Sequence, residues 1–146
     1  MADVHDKATR SYNMSRIKGR NTKPELLVRK YLHNNGFRYR LYNRNLPGKP
    51  DLTLPKYQTV IFVNGCFWHG HKGCRYFVLP ETRKIWWQDK IQETIKRDNR
   101  TTEKLKELGW NTIVIWECEL KAERRESTLD ILQNRLFKAE KLSHAK

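Results

Sequence analysis

Three short apolar runs, Phe37 to Leu41, Asp51 to Leu54 and Thr59 to Val63, are separated by the turns Pro47-Gly48 and Pro55-Lys56. A fourth run, Asn111 to Trp116, stands apart behind a long polar stretch from about Thr82 to Leu108. This order limits the fold more than any single motif does. The runs have strand length, with proline and glycine as punctuation. The polar stretch carries Ile85, Ile91, Ile95, Leu105 and Leu108 at loosely helical spacing and stops at Gly109. Ile113-Val114-Ile115 is apolar throughout, which predicts a central strand. Upstream, Thr22-Lys23-Pro24-Glu25 has capping-box spacing. It predicts a helix with Leu26, Leu27, Tyr31 and Leu32 inward, ending near Asn35-Gly36. A last helix is predicted over Thr128 to Lys141 with Leu129, Leu132, Leu136 and Phe137. Helix, three strands, helix, strand, helix describes an α/β fold, a central mixed β-sheet flanked by helices. A chain of 146 residues supports one such domain, residues 22–146, behind an arm of residues 1–21 that lacks apolar periodicity.

Charge points to the substrate class. With 30 Lys and Arg against 16 Asp and Glu, the formal net charge is +14, a field suited to a polyanion. The excess is uneven: between Lys7 and Lys49 twelve basic residues face one acid, Glu25. Solvated helices usually mix signs, so this segment reads as a phosphate-binding face. No apolar run approaches the length of a membrane span, and no charged segment followed by an apolar one opens the chain. A cytoplasmic protein with reduced or metal-held cysteines is expected.

Chemistry is concentrated in Asn64-Gly65-Cys66-Phe67-Trp68-His69-Gly70-His71-Lys72-Gly73-Cys74. A hydrophobic core would not want His69, His71 and Lys72 beside Phe67 and Trp68, so the segment suggests metal, acid-base chemistry and stacking together. Phosphodiester hydrolysis needs a hard cation on the phosphate and a base to activate water. Mg2+ takes one or two carboxylates and fills its other positions with water and phosphate. Asp51, starting a strand after Pro50, is the natural ligand. The base is then an imidazole, a group whose ordinary pKa lies near operating pH, and His69 is the candidate. His71, Cys74 and Cys118 have the donor types for tetrahedral Zn2+ but do not close a structural site by themselves. Cys66 fits neither group and is expected as a packed thiol. Phe67 and Trp68, on a glycine-flanked loop, can wedge between base pairs.

Six motifs in order carry a resemblance. They are Asn13-Met14-Ser15-Arg16-Ile17, Thr22-Lys23-Pro24-Glu25, Leu46-Pro47-Gly48-Lys49-Pro50-Asp51, Gly65-Cys66-Phe67-Trp68-His69-Gly70, Trp87-Gln88-Asp89-Lys90-Ile91, and Leu108-Gly109-Trp110 with Val114-Ile115-Trp116-Glu117-Cys118. From about Ser11 through Cys118 the chain resembles the very-short-patch-repair (Vsr) DNA mismatch endonucleases, compact members of the restriction-endonuclease-like superfamily. The resemblance implies a restriction-endonuclease-like fold and nicking of one strand beside the thymine of a T:G mismatch left by deamination of 5-methylcytosine. It places the catalytic Mg2+ ligand at Asp51 and suggests the backbone carbonyl of Val63 as another. It supplies Asp98 as the fourth zinc ligand, with His33 and Glu117 as alternatives. It adds Trp87 to the wedge and sends Met14 and Arg16 of the arm into the minor groove; Trp86 is an ambiguous neighbour.

The chain also departs from the family pattern. The acid and lysine that the superfamily carries on the strand after Asp51 are replaced by Ile61-Phe62-Val63-Asn64. Some relatives have a second imidazole where this chain has Asn64, which can at most orient a water or phosphate. Glu25 either serves the site through water or closes the capping box. Three readings compete: a Mg2+-dependent mismatch-nicking endonuclease with structural Zn2+, a restriction-type enzyme acting on intact duplex, and a non-catalytic zinc module. The first is expected, acting as a monomer on double-stranded DNA at the nucleoid. The mismatch-repair protein MutL is a partner implied by the resemblance.

Overall fold

The structure is a computed structural model that describes residues 21–144. The expected order of elements is present. Helix α1 spans Lys23–Asn34, strands β1 to β3 are Arg40–Leu41, Leu52–Leu54 and Thr59–Asn64, helix α2 is Lys84–Glu107, strand β4 is Asn111–Trp116 and helix α3 is Ala122–His144. Thr22 caps α1 by accepting the Glu25 N–H at 3.4 Å. The Glu25 carboxylate turns instead to Tyr42 and Arg29.

The four strands form one sheet in the order β1-β2-β3-β4. β1 and β2 pair antiparallel, as do β2 and β3, with Leu52 opposite Ile61. A single 3-10 turn, Pro55–Tyr57, joins the last two and ends at Gln58, whose φ of 49° is left-handed. The long α2 then carries the chain across to β4, which runs parallel to β3 with Ile61 opposite Ile113 and Asn64 opposite Trp116. The mixed sheet follows from these connections: a ten-residue loop and a 3-10 turn reverse the chain, whereas a helical crossover restores its direction.

β4 is not central. Among the described residues it ends the sheet order, and its apolar run reflects the covering of its faces, not strands on both sides. Ile113 and Ile115 join Leu52, Leu54 and Ile61 in one core with Val28 and Leu32 of α1 and Leu129, Leu132 and Leu136 of α3. The Tyr31 hydroxyl ties α1 to α3 by donating to Gln133 Oε1 at 2.6 Å. Leu26, expected inward, is exposed, as are Ile85 and Leu108, because they lie off the faces that meet the sheet. Ile91 and Leu105 of α2 are buried outside this main cluster, under the turns described next. Among the described residues no helix is long and apolar enough to cross a membrane.

Candidate active site and thiol-imidazole cluster

The sheet delivers Asp51 to the end of β3. Its Oδ2 accepts the Val63 N–H at 2.8 Å, which fixes the carboxylate beside the backbone of the residue proposed to offer its carbonyl. Burial pushes the Asp51 carboxyl up to about 6; the Val63 N–H and His69 oppose the rise, and the charge of Glu25 adds to it. Asp51 therefore feels Val63, Glu25 and His69. Glu25 is 1% exposed, and its Oε2 accepts from the Tyr42 hydroxyl and from Arg29 Nη1 at 3.3 Å. Asn64 is buried at the end of β3, one residue past Val63.

His69 reaches this group from a compact turn. His69 N–H donates to Gly65 O, Gly70 N–H to Phe67 O and His71 N–H to Cys66 O, at 3.2, 3.2 and 2.9 Å. Gly70 sits at φ +61°, where a Cβ would lie 2.7 Å from Ile91 Cγ2 and 2.8 Å from Ile95 Cδ1. Only glycine lets the turn press so closely on α2. The approach brings His69 Nδ1 to 2.7 Å from Asp98 Oδ2. A carboxylate on Nδ1 favours the tautomer with the proton there, leaving Nε2 free to accept one. Gly48 allows a second close approach, since a Cβ on it would meet Thr101 Cγ2 at 2.4 Å. Between the two contacts lies a cleft of about 350 Å3 lined by Gly48, Lys49, Phe62, His69, Arg97 and Asp98.

On the far side of Gly70, His71 joins the cysteines. The ligand atoms of Cys66, His71, Cys74 and Cys118 all lie within 4.8 Å of one another. A tetrahedral site with metal-sulfur bonds of about 2.3 Å has ligand atoms about 3.8 Å apart, so a small contraction closes this set around a cation. The His71 ring stacks on Trp116 at 4.1 Å and 4°, Cys118 Sγ is 3.4 Å from His71 Nδ1, and Cys118 N–H donates to Cys66 Sγ at 3.4 Å. Burial pushes the Cys66 thiol up to about 12. A cation binding here must displace that proton.

Two expectations are corrected by this geometry. Asp98 is not the fourth member of the cluster, because α2 turns its carboxylate to His69. Cys66 is not merely a packed thiol: the His71 N–H bond to Cys66 O folds it back beside the other three ligands. The spacing Cys66-x4-His71-x2-Cys74, joined to the need for four ligands, was the signal for it. Sequence reasoning also missed Tyr42 and Arg29.

Phe67, Trp68 and Trp87 form one aromatic group, with ring centroids 5.2 Å apart for Phe67–Trp68, 5.3 Å for Phe67–Trp87 and 5.9 Å for Trp68–Trp87. Trp68 is 38% exposed, and Trp86, also exposed, packs edge-on against Trp87 with Arg83 over its ring. Met14 and Arg16 lie outside the described residues.

Comparison with known proteins bears on this arrangement. The family model described as DNA mismatch endonuclease Vsr matches residues 2–75. The chain is 44% identical over 136 residues to the DNA mismatch endonuclease Vsr of Escherichia coli K12, covering 93% of this chain and 86% of that one. It is 44% identical to a type II nicking enzyme of Neisseria meningitidis serogroup A, covering 83% and 86% of the two chains. To a type II nicking enzyme of Haemophilus parainfluenzae it is 35% identical, covering 78% and 81%. With an acid-imidazole site at the end of a mixed sheet and similarity along most of its length, the chain belongs to the Vsr DNA mismatch endonuclease family.

Proposed function

We propose that the protein is a Mg2+-dependent DNA endonuclease that nicks one strand beside the thymine of a T:G mismatch, opening very short patch repair of deaminated 5-methylcytosine. The observation that carries the reading is Asp51, fixed by the Val63 N–H within the electrostatic reach of His69, which Asp98 orients at the wall of the cleft. Asp51 and the Val63 carbonyl would hold Mg2+, which would supply charge to stabilise the phosphate and to acidify water. Asp98 keeps His69 with its proton on Nδ1, and Nε2 exchanges a proton with the attacking water or the leaving oxygen. Glu25 acts through water, and Asn64 orients solvent or phosphate from the strand end. Lys49 and Arg97 line the cleft and suit a phosphate backbone.

Zn2+ is held by Cys66, His71, Cys74 and Cys118 and has a structural role, since a closed set of four leaves no open position for substrate. Phe67, Trp68 and Trp87 enter the weakened base step at the mismatch, and Met14 and Arg16 approach from the minor groove. A monomer suits the cutting of one strand, and MutL is the repair partner proposed. Nicking of labelled duplexes carrying T:G, T:A or C:G at one position, with and without Mg2+, tests the reading. Cutting confined to T:G with Mg2+ is expected. Equal cutting of an intact duplex would replace it with a restriction-type activity.

A further inference from the structure

A carboxylate as buried as Glu25 needs donors to remain charged. Its two donors also grip Asn21, the first described residue after the basic segment. Asn21 N–H donates to the Tyr42 hydroxyl oxygen at 2.9 Å, and Arg29 Nη1 donates to Asn21 Oδ1 at 2.7 Å. A phenol has one proton. Here it goes to the Glu25 carboxylate, the hydroxyl oxygen takes the Asn21 N–H, and Arg29 serves Asn21 Oδ1. The Tyr42 backbone adds a third connection, its N–H donating to Asp51 O at 3.3 Å. Both Asn21 and Tyr42 have left-handed backbones, at φ 55° and 50°. Such a conformation is costly for a residue like tyrosine unless its surroundings hold it.

We propose that Tyr42 is a positioning residue, fixing the Glu25 carboxylate beside the Asp51 cation site and tying it to the root of the basic arm. The proposal rests on the reading of Asp51 as a cation ligand. Glu25 is no floppy side chain; Tyr42 and Arg29 hold its carboxylate where it would orient water on a cation bound at Asp51. Because the same hydroxyl accepts the Asn21 N–H, an arm fixed on DNA steadies the donor that steadies Glu25. Duplex and cation then strengthen each other's binding, and the coupling is reciprocal.

Mn2+ binding followed by electron paramagnetic resonance on the full chain with its thiol cluster loaded, with and without a T:G duplex, tests this. Tyr42→Phe keeps the ring and removes the hydroxyl. Losing one hydrogen bond to a charged group should raise the Mn2+ dissociation constant about tenfold. The Mg2+ concentration for half-maximal nicking should rise in parallel, with saturating Mg2+ restoring most of the rate. The duplex should tighten Mn2+ binding in the parent and less in the variant. Unchanged Mn2+ affinity and Mg2+ dependence in Tyr42→Phe would overturn the proposal. Glu25→Gln guards against a mere packing effect: if Tyr42 acts through Glu25, the second substitution adds nothing to the first, whereas additive losses refute it. Asp51→Asn separates the two readings. Wild-type Mn2+ affinity in that variant refutes the cation site itself, whereas its loss beside an unaffected Tyr42→Phe refutes only the role of Tyr42.

Discussion

Asp51 should make the metal-free protein less stable, and its removal should show how much. The carboxyl is pushed from an ordinary value of 3.8 up to about 6, chiefly by burial. A raised folded value means that the folded state binds the proton more tightly than the unfolded chain. Between pH 3.8 and about 6 stability therefore falls as pH rises, and above about 6 the loss is complete. At 1.36 kcal/mol per pH unit the full penalty is about 3 kcal/mol. Asp51→Asn removes the charge and keeps an oxygen to accept the Val63 N–H. Asp51 is only partly buried, so solvent already relieves part of the penalty and a gain of about 1 to 3 kcal/mol is expected, or roughly 3 to 10 °C in Tm. The assay is thermal unfolding of both proteins from pH 4 to 8, without Mg2+ and without a chelator that would strip the thiol cluster. The curves should meet near pH 4, separate up to about pH 6 and stay apart above it. Mg2+ should then raise the parent's Tm alone, and the variant should not nick. A variant no more stable than its parent at pH 7.5, or a gap independent of pH, would refute the reasoning.

His69→Ala should lower kcat about 10²- to 10⁴-fold, as expected for loss of a general base, and Asp98→Ala should lower it less with KM nearly unchanged; single-turnover nicking at saturating Mg2+ checks both. Cys66→Ser should reduce zinc content and lower Tm while Asp98→Ala leaves zinc in place, a contrast that elemental analysis reads directly. Replacing Phe67 and Trp68 together by Ala should narrow the affinity gap between T:G and T:A duplexes, each stack being worth about 1 to 3 kcal/mol; an unchanged gap with lower stability would make them packing residues.

What could be read from the sequence follows the range of the interactions. Local signals sufficed for the element order, the Thr22 cap, Asp51 at the head of a strand and His69 after it. The position of β4 did not, because Ile113-Val114-Ile115 reports covered faces and says nothing of which strand lies beside which edge. Asp98 was misassigned for a similar reason: it stands 29 residues from His69, and only the approach of α2 to the Gly70 turn decides which group it meets. Cys66 was nearer, five residues before the cluster's His71, but it belongs there only once the turn folds back. Tyr42 lies on a loop whose contacts, Asn21 and Glu25, are 21 and 17 residues away, and no periodicity marks it.

Gly70 separates two histidines with different partners, Asp98 for His69 and the cysteines for His71, so one short turn is shared by the proposed reacting groups and by the thiol cluster. The main core, built from α1, α3 and the sheet, contains none of residues 64–78. Metal supply and folding are thus partly uncoupled. If the cluster holds Zn2+ as proposed, a cell short of zinc should keep this core folded while the turn that carries His69 loses its staple. The enzyme would fall silent while still present, and its DNA-binding charge would remain to occupy mismatches that it can no longer open.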